Sequence, residues 1–314
     1  MSPYVSIIIP TKNAGLKFSD TIERIFSNKT DFEFEVIAVD SGSTDGTKDV
    51  LFKYPLRVID IHPLSFSHGR SRNIGARCAK GEILVFITQD AVPENDRWLR
   101  QLVSWFSDEN VAGVYGRQLP QENAAWIEKF FSYYIYRRLV NKVRTIDPEN
   151  VSLRDIFFSN VNSAIRKSCW QAHEFDEELI MSEDQEWSKH MLLTGKTIVY
   201  DPDACVIHSH HYSLGQLFKR NFDSGMSLKG LVNAPLKKSI SYELSFLKSG
   251  FSFLFRNRQY LSLLYFPVYE MVRAAGFTIG FNSASLPVGI KRRLSQNKVY
   301  WEQDKKNVRP RIRR

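Results

Sequence analysis

Short runs of β-branched and other apolar residues alternate with amphipathic stretches along the first 120 residues of the chain. Residues 5–9, 36–39, 58–61 and 83–87 have the length and composition of strands. Between them Phe18, Ile22, Ile25 and Phe26 recur at helical spacing, and 71–79 and 98–106 also read as helices. Alternation of this kind implies a mostly parallel sheet covered on both faces, with ligands bound at the carboxyl ends of the strands. The polar residues just past each run are therefore the candidates for chemistry.

Those strand ends read Pro10-Thr11-Lys12-Asn13, Asp40-Ser41-Gly42-Ser43-Thr44-Asp45 and Thr88-Gln89-Asp90. Each alone is accounted for by turns and helix caps, where Ser, Thr, Asp and Gly are favoured. Three in succession are better explained by a ligand cleft. Past about Arg220 the pattern changes. Aromatic-rich stretches (246–255 and 260–269) alternate with basic clusters at Lys237-Lys238, Arg256 to Arg258, Lys291 to Arg293 and Arg309 to Arg314.

Charge sharpens that division. The net +9 resembles a nucleic-acid signal until it is resolved along the chain. Residues 219–314 hold 19 Lys and Arg against 5 Asp and Glu, and the remainder holds 24 against 29, so the basicity belongs to the tail. Three widely spaced cysteines, Cys78, Cys169 and Cys205, form no CxxC pair, which argues against a disulfide framework or a zinc site and fits a reducing compartment. The start lacks the basic and apolar segments of a signal peptide, and no GxGxxG follows the first strand, which argues against a dinucleotide-binding oxidoreductase.

The run Val5 to Asn13, followed by Val39-Asp40-Ser41-Gly42-Ser43-Thr44-Asp45, resembles the opening of family 2 inverting glycosyltransferases. Phe66 to Ala76 and Phe86-Ile87-Thr88-Gln89-Asp90-Ala91 are similar to the bacterial rhamnosyltransferases of O-antigen and surface-polysaccharide synthesis. The resemblance covers roughly residues 4–225. It implies an α/β GT-A fold, a Rossmann-like mixed sheet flanked by helices, over 1–225, with a basic helical extension over 226–314. It also implies a nucleotide pocket drawn from Pro10, Thr11, Asn13, Asp40, Ser43, Arg72, Asn73 and Gln89, with Asp40 toward the nucleobase. Arg70 reads equally well as a solvated helix start.

The family's acidic–any–acidic metal motif appears here as Thr88-Gln89-Asp90, keeping only its last carboxylate. A divalent cation, Mg²⁺ or Mn²⁺, can be held by one carboxylate with diphosphate oxygens, so a weaker, substrate-dependent site is implied. Within His208-Ser209-His210-His211, His208 and His210 are the candidate further ligands, on one face if the segment is extended. Ser182-Glu183-Asp184-Gln185-Glu186-Trp187 resembles the family's acidic pair opening a helix, with Asp184 the general base. Ser182 and Gln185 also fit a capping box. Asn160, Asn162, Glu183 and Trp187 are candidates for the donor-sugar and acceptor side, although a Trp more often packs in a core.

The implied activity is metal-dependent, inverting transfer of L-rhamnose from dTDP-β-L-rhamnose to a lipid-linked or polysaccharide acceptor. A UDP-hexose or UDP-N-acetylhexosamine donor, or a catalytically degenerate assembly subunit, fits the same motifs. The tail lacks a convincing membrane-spanning run, and its aromatic and basic residues suit the surface of an anionic leaflet. A cytoplasmic enzyme peripheral on the inner face of the membrane is expected, with no nucleic-acid partner. Packing on the body and a homodimer contact are the alternatives for the tail.

Overall fold

The four apolar runs become strands within two residues of the expected bounds, because their side chains are buried on both sides. The computed structural model describes residues 2–136, 139–302 and 311–313, the side chains of 236–239 and 311–313 excepted. Most of the Arg309 to Arg314 cluster and the side chains of Lys237 and Lys238 therefore lie outside the described residues. In chain order the first elements are β1 (Val5–Thr11), α1 (Phe18–Phe26), β2 (Phe34–Asp40), α2 (Thr47–Leu51), β3 (Arg57–Asp60), α3 (His68–Cys78) and β4 (Ile83–Ile87). There follow β5 (Val92–Pro93), α4 (Trp98–Val103), β6 (Val111–Leu119), α5 (Trp126–Ile135), β7 (Asn141–Val143), β8 (Asn162–Arg166) and α6 (Lys167–Ala172). The chain continues through α7 (Glu183–Leu193), β9 (Thr197–Ile207), α8 (Leu214–Leu228), α9 (Leu236–Arg256), α10 (Tyr260–Phe281) and α11 (Val288–Leu294) to β10 (Arg311–Arg313).

The sheet runs β10-β3-β2-β1-β4-β8-β6-β9-β5, with β7 on β9. Strands β3, β2, β1 and β4 pair in parallel as the alternation predicts. Beyond β4 the parallel order that alternation suggests gives way to the mixed sheet that the family resemblance implies. Strand β8 enters antiparallel to both β4 and β6, and β5 and β7 run antiparallel to β9, so the sheet is mixed. Successive residues of β1 serve two cores. Val5, Ile7 and Ile9 pack with Phe18, Ile22 and Trp98 on one face, and Ile8 packs with Ala76, Trp170 and Trp187 on the other.

A third apolar cluster holds the tail. Phe246, Leu254, Phe266 and Tyr269 of α9 and α10 join Ile127 and Phe130 of α5 and Leu217 of α8. Helix α8 runs through position 225, where the sequence pattern shifts, and α10 lies directly on it. A Cβ at Gly276 would stand 2.4 Å from the Phe218 carbonyl oxygen, and one at Gly280 2.0 Å from that of Phe222. Only glycine permits so close a backbone approach. Among the described residues no helix is long and apolar enough to cross a membrane.

Candidate active site

At the ends of β1 and β2 the polar side chains hold one another. Asp40 is fully buried; its carboxylate accepts from the backbone N–H of Gly42 at 3.0 Å and Ser43 at 2.9 Å, and from the Ser43 hydroxyl at 2.5 Å. The Thr11 hydroxyl donates to the same group at 3.3 Å, and Lys48 Nζ lies 3.5 Å away. Asn13, at φ +47°, accepts from Thr44 N–H through its side chain while its own N–H donates to Ser43 Oγ. Gln89 clamps the β4 end onto this loop, accepting from Lys12 N–H at 2.8 Å and donating to Lys12 O at 3.1 Å. Pro10 lies within β1, opposite Val39 of β2. These residues gather at one sheet edge and fix its loops.

Several expected ligand residues sit inside the protein. Asn73 is 1 % exposed, and its amide takes Trp170 Nε1–H and Phe175 N–H while donating to Phe175 O and Glu177 Oε1. That uses the bonding capacity of a carboxamide, so Asn73 is a clip between α3 and the segment after α6 and leaves nothing for a nucleotide. Asn162 is likewise engaged within the protein. It accepts from Trp98 Nε1–H at 2.8 Å and donates to Ala204 O at 2.8 Å, joining α4, β8 and β9. Trp187 is fully buried against Phe158 and Phe175, so it anchors α7 and does not pack under a sugar. Glu183, also buried, is engaged by Arg72 Nη1 at 2.6 Å in a pair with both side chains at or below 5 % exposure. Arg72 and Glu183, expected to serve different parts of the ligand, thus serve each other. Arg70 pairs with Glu177 at 2.9 Å.

The expected metal residues do converge. Strand β5 pairs with the end of β9, Val92 opposite Ile207, which sets Asp90 beside the histidines that follow β9. His208 Nε2 lies 3.6 Å from Asp90 Oδ1 and His210 Nδ1 3.8 Å from Oδ2, and one ligand atom from each of the three residues lies within 4.8 Å of the others. His211 is exposed and outside this group. The set fits a cation on its own chemistry. His208 Nδ1 is 2.8 Å from Gln118 Oε1, and Gln118 Nε2 donates to Tyr136 OH and to Ser159 Oγ. With its Nε2 a donor elsewhere, Gln118 presents an acceptor to His208 Nδ1, which leaves His208 Nε2 turned toward Asp90. Burial, with neighbouring His208, lowers the His210 imidazole to about 4, so it is neutral and able to ligate at neutral pH. Burial raises the Asp90 carboxyl, but its hydrogen bond and charge interaction with His208, together with His210, outweigh this and hold it below the usual carboxylate range.

Asp184 stands in the first turn of α7. The expected capping box does not form: Ser182 has φ +67° in place of the extended backbone of an N-cap, and its side chain makes no capping bond. Asp184 Oδ1 instead accepts from Gln185 N–H and its Oδ2 from Asn160 N–H, both at 2.9 Å. Burial, then the adjacent Glu183 charge, push the Asp184 carboxyl up to about 7, against the pull of Asn160 N–H and Arg72. A carboxylate so placed is suited to take a proton at neutral pH. Asn160 is held by this bond and by Ser163 Oγ–H donating to its Oδ1, while its Nδ2 is buried and without a partner among the described residues.

Gln118 is the functional residue that sequence reading misses. Through Ser159, the neighbour of Asn160, it joins His208 to the loop that holds Asp184. A glutamine within a strand carries no local signature of that role.

Comparison with known proteins shows the family and the fold. The model of the family described as "Glycosyl transferase family 2" matches residues 6–157. The chain is 32% identical over 309 residues to the O-antigen chain rhamnosyltransferase WbaN of Salmonella anatum, covering 95% of this chain and 96% of that one. It is 28% identical to the O-antigen chain rhamnosyltransferase RfbN of Salmonella typhimurium, over 95% and 96% of the two. Among solved structures, the mannosyltransferase PcManGT of Pyrobaculum calidifontis, in complex with GDP-Man and Mn²⁺, superposes with a TM-score of 0.60 at 17% identity, covering 91% of this chain and 88% of that one. The fold is that of the GT-A glycosyltransferases.

Proposed function

The chain belongs to glycosyl transferase family 2, and on that premise we propose that it moves L-rhamnose from dTDP-β-L-rhamnose to a lipid-linked or polysaccharide acceptor, inverting the anomeric centre. The similarity to two O-antigen chain rhamnosyltransferases over nearly their whole length supports the sugar. The observation that carries the chemistry is the run of contacts from His208, which lies beside Asp90, through its partner Gln118 and the 159–160 loop to Asp184.

In this reading Asp184 accepts the proton of the acceptor hydroxyl as its oxygen attacks the anomeric carbon. The bond from that carbon to the diphosphate breaks on the opposite face, and its electron pair stays on the phosphate oxygen. Arg72 pairs with Glu183 beside Asp184, and the Glu183 charge in turn keeps the Asp184 carboxyl basic. Asp90, His208 and His210 would hold the cation, which when bound offsets the charge of the leaving diphosphate. Two imidazole nitrogens and one carboxylate favour Mn²⁺ over Mg²⁺, which prefers oxygen ligands. Thr11, Asn13, Asp40, Ser43 and Gln89 shape the nucleotide pocket by fixing its loops.

We assign catalysis to residues 1–225 and peripheral contact with the inner face of the cytoplasmic membrane to 226–314. Thermal-shift measurements with dTDP-, UDP- and GDP-sugars in the presence of Mn²⁺ test the donor. Stabilisation by dTDP-β-L-rhamnose above the others, with transfer to an O-antigen-type acceptor, is expected. A response to UDP-sugars alone would replace rhamnose by a hexose or N-acetylhexosamine. Binding without transfer would mark a degenerate assembly subunit.

A further inference from the structure

Helices α9 and α10 form a hairpin joined by residues 257–259. Its inward side chains, Phe246, Leu254, Phe266 and Tyr269, fill the aromatic cluster against α5 and α8. A surface hairpin ordinarily carries polar residues on its other side. Here the outer side is apolar as well.

On α10, Leu261 is 85 % exposed, Leu264 77 % and Met271 65 %, with Tyr260, Tyr265 and Val268 among them. Their spacing places them on one arc of the helix. From Tyr260 to Ile279, roughly 28 Å of helix, the two charged side chains both turn away from that arc. Glu270 is buried, and Arg273 is engaged by Glu270 and Glu243 at 2.7 Å each. On α9, Ile240, Leu244, Phe251 and Phe255 recur at helical spacing and are each at least 40 % exposed. A large, continuous apolar surface of this kind marks an interaction site.

The surrounding charge identifies the occupant. Lys248, Arg256 and Arg258 are exposed on the hairpin, while its acidic residues Glu243 and Glu270 are both held by Arg273. A second copy seated on this face would bring these like charges together. An anionic bilayer would be attracted by them while its acyl region accepted the leucines and aromatics. We propose that the outer face of the α9–α10 hairpin lies on the surface of an anionic membrane, with Leu261, Leu264, Met271 and Phe255 entering the interface. This deepens the membrane contact assigned above, and rests on it, by narrowing the contact from residues 226–314 to the hairpin.

Co-sedimentation of the full chain with phosphatidylcholine vesicles, with and without phosphatidylglycerol, tests this. Binding to the anionic vesicles is expected. Combined Leu261→Glu, Leu264→Glu and Met271→Glu substitution should lower the partition at least tenfold, with the donor-induced thermal shift unchanged. Arg256→Gln with Arg258→Gln should lower the anionic preference by roughly fivefold for each charge removed. The milder Phe255→Ser, also on the surface, should weaken binding in the same direction if the triple variant fails to fold. Should the unaltered chain bind neither vesicle, the membrane reading and the hairpin assignment both fall. Should it bind, but equally well after the hairpin substitutions, the hairpin assignment falls and the membrane reading stands. A dimer in solution that Leu264→Glu converts to a monomer would assign the face to self-association and overturn the proposal.

Discussion

Two parts of one sheet edge use polar side chains in opposite ways. At the ends of β1 and β2, Asp40, Ser43, Thr11 and Asn13 satisfy one another, and Asn73 on α3 is closed by four hydrogen bonds to three residues. At the ends of β4 and β9 and the start of α7, Asp90, His208, His210 and Asp184 keep functional atoms available, and Gln118 and Asn160 hold them from behind. The first part is a frame whose groups are already paired. The second is chemistry in waiting. An expectation built on residue type alone treats the two alike, yet they should respond differently to mutation.

The largest difference is expected at Asp184. Asp184→Asn should lower kcat by about a thousandfold, within the range for general-base catalysis, while calorimetric donor affinity is retained. The same carboxyl sets a pH test. With its folded value raised to about 7, kcat/KM of the unaltered enzyme should climb about tenfold per pH unit below 7 and level off above it. The folded state also binds more protons than the unfolded chain between the ordinary carboxylate range and 7, so stability is lost as pH rises through that window. Urea titrations of Asp184→Asn should lack this slope.

Next comes Asp90→Ala, which should weaken Mn²⁺ binding by more than the roughly 10–100-fold typical of a residue acting behind a ligand. Gln118→Leu falls within that 10–100-fold span, because it frees the His208 tautomer without removing a ligand. Calorimetry with Mn²⁺ separates the two. The smallest effect on the ligand belongs to the frame. Asn73→Ala should cost about 2 kcal/mol in urea unfolding by stranding Trp170 Nε1–H and Phe175 N–H, and leave donor affinity unchanged. A large loss of donor affinity in that variant would break the comparison.

The sheet was legible because residues 7–9 and 83–87 are unbroken apolar runs, and a strand buried on both faces needs little else to declare itself. The antiparallel entry of β8 was not, since Asn162-Ser163-Ala164-Ile165-Arg166 has a weak apolar pattern and its place depends on partners far along the chain. In the site, the clustering of His208 and His210 signalled their convergence with Asp90. Asn162 and Trp187 are engaged inside the protein for a common reason. Motif position says where the backbone goes, but neighbouring residues point to opposite sides of a strand or different sides of a helix. Asn162, at the start of β8, turns its side chain to Trp98, while Asn160, in the loop before the strand, reaches Asp184 through its backbone N–H. Glu183 and Arg72 were each recognised as charged residues near the site, but pairing across 111 positions leaves no trace in local sequence.

The position of β8 also sets an order of events as the chain is made. Strands β1 to β4 can pair as they emerge, yet one edge of β4 stays bare until Asn162–Arg166 arrives about 80 residues later. Until then the nascent protein displays a row of unpaired amides and carbonyls flanked by Ile83, Val85 and Ile87, which can capture another chain. Yield of folded enzyme should therefore depend on how quickly synthesis passes through this interval, a constraint imposed by topology that the finished fold conceals.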